Sequence, residues 1–408
     1  MYLLPAAAAA LLGPASLWAV LVTGAAVALL VLCFAEAASY FDEPGGGYIY
    51  TREAFGDFVG FEVGWMTWLA RIASVASLSN GFAQALGFLW PDATIGVTRA
   101  IVIAAPLALL TWINVVGVKS GARTAVFLSI TKVLPLLFLI VVGLPAIDAG
   151  ALFPIPAPPT NALGEAALLL LFAYAGFENT AAAAGEYKNP RRDVPFALLT
   201  MIVMVTALYF LIQLVALGTL PDLAARVEGA PLADAATLLV GAWAGVVMTI
   251  GAAVSIEGNV GNTTLMGPRY LFALAEDGFG PRALASVHPR WRTPYVAIIA
   301  QSTVALILAL SGSFVQLAML SIVARLATYM GTAAAVPVLR RKFPRTESTV
   351  RLPGGPLIPI AALALCLVFL LSATRWNLIA GAIALAGGLV VYALRRKPDT
   401  DTSVRPVA

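Results

Sequence analysis

Long apolar segments alternate with short polar ones along this chain, and the apolar segments have the length needed to cross a bilayer. A membrane-spanning helix needs about 20 apolar residues, because the hydrocarbon core is about 30 Å thick. The pattern predicts a short first helix followed by eleven spans, at 2–12, 16–40, 58–89, 97–117, 124–144, 162–186, 195–218, 237–274, 294–312, 315–339, 356–372 and 376–394. No strand-like alternation in units of about ten residues recurs, so helices are favoured over a β-barrel. The predicted fold class is an all-α polytopic membrane protein.

The distribution of basic residues predicts the orientation of these spans. If the loop after 16–40 is cytoplasmic, the inner loops and the tail hold eighteen lysine and arginine residues, and the outer loops hold three, Arg99, Arg226 and Arg375. Cytoplasmic loops are enriched in lysine and arginine in this way. We therefore expect a multi-pass protein of the inner (cytoplasmic) membrane, surrounded by lipid, with a cytoplasmic tail at 397–408.

Composition and charge limit the classes of protein to which this chain can belong. Hydrophobic residues make up 60% of the 408 residues and charged residues 11%, whereas soluble domains have about 25% charged residues. We expect one transmembrane domain over 1–396. The net charge of +4 follows from the inner loops, so no nucleic-acid partner is expected.

A single histidine and two distant cysteines predict no metal site. No cofactor, nucleotide-binding loop or catalytic residues are predicted, which argues against an enzyme or an ATP-driven pump.

One predicted span contains a break. The stretch FAYAGFENTAAAAGEYKNPRRDVP, 172–195, begins as apolar span and then meets Gly176 and Glu178. A broken helix at membrane depth persists only where it is buried in protein or lines a wet cavity, and its freed backbone groups can bind a solute there. Gly176 permits the break, and Tyr174 and Phe177 supply aromatic walls. A lone glycine would also fit close helix packing, but an intramembrane carboxylate favours a substrate site.

This stretch and two other segments, taken in order along the chain, resemble the amino acid–polyamine–organocation transporters. The other segments are FDEPGGGYIYTREAFG at 41–56 and NTTLMGPRYLFALAEDGFGPRALASVHPRWRTP at 262–294, and LPAAAAALLGP at 4–14 is similar to the outer half of that family's first span. The arginine–agmatine antiporter group is among the relatives. The resemblance implies a LeuT-like fold of two inverted five-helix repeats, about 1–144 and 161–339. Helices 1 and 6 are then discontinuous, and two extra spans occupy about 356–394.

The resemblance also implies an incomplete site. In this family a Gly-Ser-Gly-like turn, whose amides hold the substrate carboxylate, lies just before the segment that matches LPAAAAALLGP. This sequence starts directly after that point, at Met1. We therefore expect that it lacks the first half of span 1. Either Met1 is an internal methionine of a longer protein, or the chain is a degenerate paralogue.

The resemblance places a set of residues around the substrate cavity. On the broken helix they are Phe172, Ala173, Tyr174, Gly176, Phe177 and Glu178, and on two other spans they are Ala70, Arg71 and Thr263. An arginine inside a span is costly in lipid and cannot shed its charge. Arg71 therefore needs a partner, for which Glu178, Glu257 and Glu62 are candidates. It either braces the bundle, or it binds a carboxylate and selects against cationic substrates.

Three residues are candidates for ion coupling, Lys132, Glu178 and Glu257. The resemblance implies a role for Lys132, because some proton-coupled members of the family have a lysine in this span that substitutes for a sodium ion. The alternative is a lysine that extends to the cytoplasmic interface, although Lys132 is about 12 Å from the nearest inner loop.

We therefore expect a secondary active transporter of amino acids that works by alternating access, coupled to protons or to exchange, as a monomer or homodimer. A neutral or small zwitterionic amino acid is the favoured substrate. A cationic amino acid or polyamine antiporter is the first alternative, and a non-transporting truncated paralogue or sensor is the second. A passive channel fits less well, because channels need a continuous pore.

Overall fold

A computed structural model describes residues 1–41, 46–117, 122–153, 155–178, 190–344, 349–352 and 354–394. Within these ranges the regular structure is helical, with no strand. Fifteen α-helices follow in order: α1 Leu4–Leu12, α2 Ser16–Ala38, α3 Gly47–Phe55, α4 Asp57–Leu86, α5 Gly96–Val116, α6 Ala122–Gly143, α7 Ala149–Leu152, α8 Thr160–Tyr174, α9 Pro190–Thr219, α10 Pro231–Val240, α11 Ala242–Glu276, α12 Tyr295–Ser311, α13 Phe314–Lys342, α14 Leu357–Leu371 and α15 Arg375–Ala393.

The described helices are long and apolar enough for a polytopic membrane protein, which confirms the predicted fold class. Six stretches can cross a bilayer by length and composition, Leu4–Ala38, Gly96–Val116, Phe196–Thr219, Ala242–Glu276, Phe314–Lys342 and Arg375–Ala393. Five shorter apolar helices accompany them. The inverted repeats and the domain limits stay predictions, and the tail at 397–408 lies outside the described residues.

Helix α4 occupies the centre of the bundle. It packs against α11 and α13 along much of its length, and also against α3, α5, α12 and α15. Helix α2 packs on the other side against α8, α9, α13 and α14. Few residues of the outermost helices, α5 and α15, are buried, as expected for surfaces that contact lipid. Helix α8, which leads into the break in the predicted sixth span, packs against α2 and α13.

Two short helices that the hydrophobic pattern did not predict flank the spans. Helix α3 lies within the first predicted inner loop and is followed by Gly56, whose φ of 91° admits a sharp turn into α4. Helix α10 begins in the predicted outer loop, continues into the predicted span 237–274 and is followed by Gly241, with φ of 100°. Side chains reach these positive φ values only with strain. The predicted span 237–274 is thus two helices that meet at Gly241.

The predicted outer loop before α10 is held by ion pairs. Arg226 donates to Asp222 at 2.7 Å and to Asp234 at 2.8 Å. Hydrogen bonding from Arg226 lowers the pKa of Asp222 below its usual value. The loop therefore has a defined shape.

Charged side chains tie together the end of the bundle that is predicted to face the cytoplasm. Glu36 at the end of α2 is fully buried and pairs with Arg340 of α13 through both carboxylate oxygens, at 2.5 and 2.7 Å. The backbone N–H of Leu352 donates to the same carboxylate at 3.0 Å. Charge-assisted, two-point contacts of this kind hold a defined geometry. We name this group, Glu36, Arg340 and Leu352, the inner clamp.

A second set of contacts joins α3 to two other helices at this end. Arg52 donates to Asp57 at 2.9 Å and to Asp277 of α11 at 3.1 Å, and Tyr48 donates a short hydrogen bond to Asp277. Lys342 of α13 pairs with Glu53 at 2.8 Å. Helix α3 thus connects the inner ends of α4, α11 and α13.

Candidate substrate-binding site

The predicted sixth span is interrupted within the bundle. Helix α8 ends at Tyr174, Ala175 has an extended backbone with ψ of 140°, and Gly176 has φ of 121°. Phe177 and Glu178 are helical again. The break predicted between Tyr174 and Glu178 is therefore present, and among the described residues it comprises Ala175 and Gly176. The rest of the predicted span, from residue 179 to Glu186, and Lys188 after it lie outside the described residues.

Glu178 closes the break and carries a buried negative charge. Its Oε2 accepts a hydrogen bond from the backbone N–H of Gly176 at 2.9 Å, so the carboxylate satisfies a donor that the interruption frees. Its Oε1 forms an ion pair with Arg325 of α13, and the side chains are 6% and 7% exposed respectively. Tyr329, one turn further along α13, reaches Oε2 at 3.5 Å. The break is thus anchored to α13 by charge.

A chain of hydroxyl groups extends from Arg325 to α4. The guanidinium donates to the Ser74 hydroxyl at 3.2 Å, and Ser74 and Ser321 share a hydrogen bond of 2.8 Å. Ser321 also donates to the backbone carbonyl of Ala70 at 2.8 Å. Ala70, predicted to line the cavity, is buried beside this chain. Through these groups α4, α13 and the break form one polar network inside an apolar bundle.

Arg71 lies on the other side of this network. It is 3% exposed, and its guanidinium carbon sits 4.9 Å from the centre of the Tyr270 ring on α11. It also acts electrostatically on Glu178.

Two of the three predicted partners of Arg71 are too distant to pair with it. Glu62 is nine residues away on the same helix, or about 13 Å. Glu257 is thirteen residues from Tyr270 on α11, or about 20 Å. Glu178 is near, but its ion pair is with Arg325.

The aromatic residues of the break are packed in this conformation. Tyr174 contacts Tyr209 of α9 edge-on at 5.1 Å, and Phe177 stacks on Tyr329 at 5.2 Å. Both are at most 5% exposed. Phe172 is less buried and meets Phe314, the first residue of α13, at 6.0 Å. The role of these three rings in substrate binding stays a prediction. Phe172 is the least buried of them and is therefore the ring most accessible to a solute.

Backbone groups before the break are also engaged. The carbonyl of Ala173 accepts a hydrogen bond from the Tyr209 hydroxyl at 2.9 Å. The Tyr174 hydroxyl donates to Thr206 at 3.2 Å. Helix α9 therefore contacts the residues just before the break, and α13 contacts the residues just after it.

The remaining predicted residues lie away from this network. The carbonyl of Thr263 accepts from the Gln301 amide at 3.4 Å, and its side chain is buried. The Lys132 side chain is exposed, and its carbonyl accepts from the Tyr2 hydroxyl at 2.8 Å. Glu257 is partly buried and forms no ion pair with another described residue. The structure brings together Ala70, Arg71 and the residues of the break, but not Thr263, Lys132 or Glu257.

A family model for amino acid permeases matches residues 1–390 of this chain. The chain belongs to the amino acid permease family. It is therefore a multi-pass membrane transport protein rather than an enzyme, and the transporter identity expected from its motifs is confirmed. The narrower resemblance to the arginine–agmatine antiporter group stays a prediction.

This permease is similar to several bacterial transporters of known name. It is 33% identical over 341 residues to the serine/threonine exchanger SteT of Bacillus subtilis, a match that covers 82% of this chain and 77% of SteT. Two other proteins of that organism match over nearly the whole chain. The methylthioribose transporter is 27% identical over 396 residues, with 94% and 86% coverage. The branched-chain amino acid permease BcaP is 28% identical over 419 residues, with 97% and 88% coverage.

The sequence did not show which groups this permease places around Glu178. Arg325 was visible as a charge within an apolar span, without an assigned partner, and Ser74, Ser321 and Tyr329 carried no signal of their own. One available signal was the spacing on α13. Ser321, Arg325 and Tyr329 follow each other every four residues and thus share one helix face. A polar stripe of this kind within an apolar span indicates a face that meets another polar group.

Proposed function

We propose that this permease is a secondary active transporter that moves amino acids across the cytoplasmic membrane by alternating access. The observation that carries the proposal is the helix break at Ala175 and Gly176, held by a buried ion pair between Glu178 and Arg325. Backbone groups at such a break can contact a polar solute at membrane depth. Because this ion pair connects the break to α13, a solute that binds at the break can change the position of α13.

The two ends of the bundle differ, which supports alternating access. The inner end is closed by the inner clamp and by the contacts of α3 with α11 and α13. The opposite end has a cavity of about 460 Å³ between α4, α5 and the junction of α12 with α13, lined by Asn80, Gln84, Arg99, Glu228 and Gln316 among others. Transport would require the inner contacts to break as the outer cavity closes.

We propose that coupling uses protons or exchange and involves Glu178, Lys132 or Glu257. Five basic residues lie within the predicted spans, Arg71, Arg99, Lys132, Arg269 and Arg325. Arginine keeps its proton in proteins, so Lys132 is the one member of this set that can release one. Carboxyl groups within a membrane protein also serve in proton relays, which supports Glu178 and Glu257.

The excess of basic residues in the predicted inner loops supports an orientation with the C-terminus in the cytoplasm. A monomer or homodimer in the inner membrane is the form we propose. A cationic amino acid or polyamine antiporter is disfavoured by Arg71 and Arg325, because like charges repel strongly at low dielectric.

Counterflow in proteoliposomes tests the proposal. Vesicles loaded with a mixture of amino acids are diluted into each radiolabelled amino acid in turn, and accumulation is followed over time. We expect saturable, stereoselective accumulation of a subset of amino acids. Flux that does not saturate would indicate a channel, and binding without flux would indicate a sensor.

A further inference from the structure

A carboxyl group without a partner lies in the contact between α4 and α15. Glu62 is in the second turn of α4, and both oxygens of its side chain are buried without a hydrogen bond. The ion pairs found within the described ranges do not include it. Glu62 therefore differs from Glu36 and Glu178, whose buried carboxylates are each paired with an arginine.

Helix α15 leaves a space that the Glu62 carboxyl group fills. A Cβ built on Gly388 would lie 2.5 and 2.8 Å from the two carboxyl oxygens, which is closer than van der Waals contact allows. One turn away on α15, the carbonyl of Ala384 accepts a hydrogen bond from the Trp65 indole at 2.9 Å. One turn away in the other direction, the Tyr392 ring packs against α4. The carboxyl group is thus enclosed between two contacts that hold α15 on α4.

The ionisable groups of the neighbouring helices have other partners. At the level of Glu62, α4 is surrounded by α3, α11, α13 and α15. The ionisable groups at this level are Tyr48 and Arg52 of α3, Asp57 of α4, Asp277 of α11, Lys342 of α13 and Tyr392 of α15. The first four form one network of hydrogen bonds and ion pairs, and Lys342 pairs with Glu53. The Tyr392 ring packs on three phenylalanine rings. None of these groups is hydrogen-bonded to Glu62.

A charged carboxylate is unfavourable in this position. Removing an isolated ion from water costs far more free energy than removing a neutral polar group, unless donors or a cation compensate for the lost water. The neutral acid avoids most of that cost, so the ligand that this site favours is a proton. We propose that Glu62 is a proton-binding site in the contact between α4 and α15, and that it releases its proton when the two helices separate and water reaches the carboxyl group.

The site is connected to the helices that surround the break. Ala384 of α15 packs against an apolar cluster formed by Met66 and Ala70 of α4 and Ala324 of α13. Ala324 directly precedes Arg325, which pairs with the residue that closes the break. A displacement of α15 therefore changes the packing of both α4 and α13. This inference goes beyond the proposed transport function, because the proton site is defined without reference to any solute.

Infrared spectroscopy of the full chain in liposomes tests whether the proton is bound. A protonated carboxyl group has a carbonyl band separate from the bands of carboxylates, so a difference spectrum between wild type and variant reports the group that was changed. At about pH 7 an exposed glutamate is ionised. Glu62→Gln should therefore remove one such band, whereas Glu53→Gln, at a side chain that is 42% exposed, should remove none. An unchanged carbonyl region in Glu62→Gln would show that Glu62 is ionised and would overturn the inference.

A cysteine on α15 tests whether proton release and helix separation occur together. In a chain with Cys33→Ala and Cys366→Ala, the substitution Ala384→Cys places one thiol in the contact. Its labelling by a small water-soluble thiol reagent is followed from about pH 6 to about pH 9, with and without Glu62→Gln. Thiols become more reactive as pH rises, so the chain that carries Glu62→Gln serves as the reference. One linked proton changes an equilibrium by up to about tenfold per pH unit, and we expect labelling to rise at least about tenfold more with Glu62 than in the reference.

Each outcome of these two measurements decides the inference. The same dependence of labelling on pH with and without Glu62→Gln would show that ionisation does not separate the helices. If Glu62→Gln does not fold, chains with Glu62 decide. The carbonyl band must then decline over the pH range in which Ala384→Cys becomes accessible, and a decline without access would overturn the inference. Neither measurement uses transport, so a chain without counterflow would contradict the proposed function and leave this inference standing.

Discussion

Glu178 and Arg325 form an ion pair across the interruption of the sixth predicted span, with both side chains almost completely buried. The carboxylate also accepts the backbone N–H of Gly176 at 2.9 Å. One side chain therefore caps the break and fixes it to α13. This relationship connects the helix interruption, which the sequence indicated, to a helix that could move during transport.

Removal of one member of this pair should be more harmful than removal of both. Glu178→Gln or Arg325→Gln leaves the other charge buried without compensation, which typically costs about 3–5 kcal/mol. The double variant Glu178→Gln/Arg325→Gln carries no isolated charge and should recover part of that loss. Thermal unfolding of the purified variants in detergent measures the order of their stabilities. A double variant that is less stable than both single variants would contradict a direct ion pair.

Gly176→Ala should destabilise the break through backbone strain alone. Gly176 has φ of 121°, and a Cβ built there meets no atom within 4 Å. The cost of about 1–3 kcal/mol therefore arises from the dihedral angle, and uptake should fall with it. Gly258→Ala is the matched control, because a Cβ at this helical position also meets nothing within 4 Å. Equal stability and uptake in the two variants would show that the conformation at Gly176 is not required.

The inner clamp should contribute more to stability than the exposed ion pair beside it. Glu36 is fully buried and accepts three hydrogen bonds from Arg340 and Leu352, so Glu36→Gln should lower stability by several kcal/mol. Glu53→Gln disrupts the pair with Lys342, whose side chains are 42% and 49% exposed, and should cost at most about 1 kcal/mol. Thermal unfolding of both variants, prepared together, compares them. A larger loss of stability in Glu53→Gln than in Glu36→Gln would show that the inner clamp contributes little to stability.

Lys132→Ala should separate proton-driven uptake from exchange. If the proton released by Lys132 drives net uptake, the variant loses uptake driven by a pH gradient but still exchanges internal for external solute. Uptake into proteoliposomes with and without a pH gradient measures the first activity, and counterflow at equal pH measures the second. Lys132→Arg, which keeps the charge but not the ability to release a proton, should behave like the alanine variant. An unaltered response to the pH gradient in both variants would remove Lys132 from the coupling mechanism.

The apolar segments and their boundaries were sufficient to predict most of the helices. Segment length against bilayer thickness located the spans to within a few residues, and Gly176 beside Glu178 located the break. Helix α3 and the division at Gly241 were missed, because each of the short helices α3 and α10 is too small or too polar to count as a span. The pairing of Arg325 with Glu178 was also not predicted, since it depends on which faces of α8 and α13 meet. Sequence spacing constrains faces within a helix, but not contacts between helices distant in the chain.

Substrate protection of a cysteine at the break tests the central claim most directly. The two natural cysteines, Cys33 and Cys366, are both buried and can be replaced by alanine, after which Ala175→Cys places a single thiol on the extended segment. The rate at which a small thiol reagent labels this cysteine is measured in proteoliposomes, with and without an amino acid that supports counterflow. If the solute binds at the break, labelling slows as the amino acid concentration rises, with the same half-saturation as transport. Labelling that proceeds at one rate at every concentration, while counterflow in the same vesicles saturates, would place the solute elsewhere.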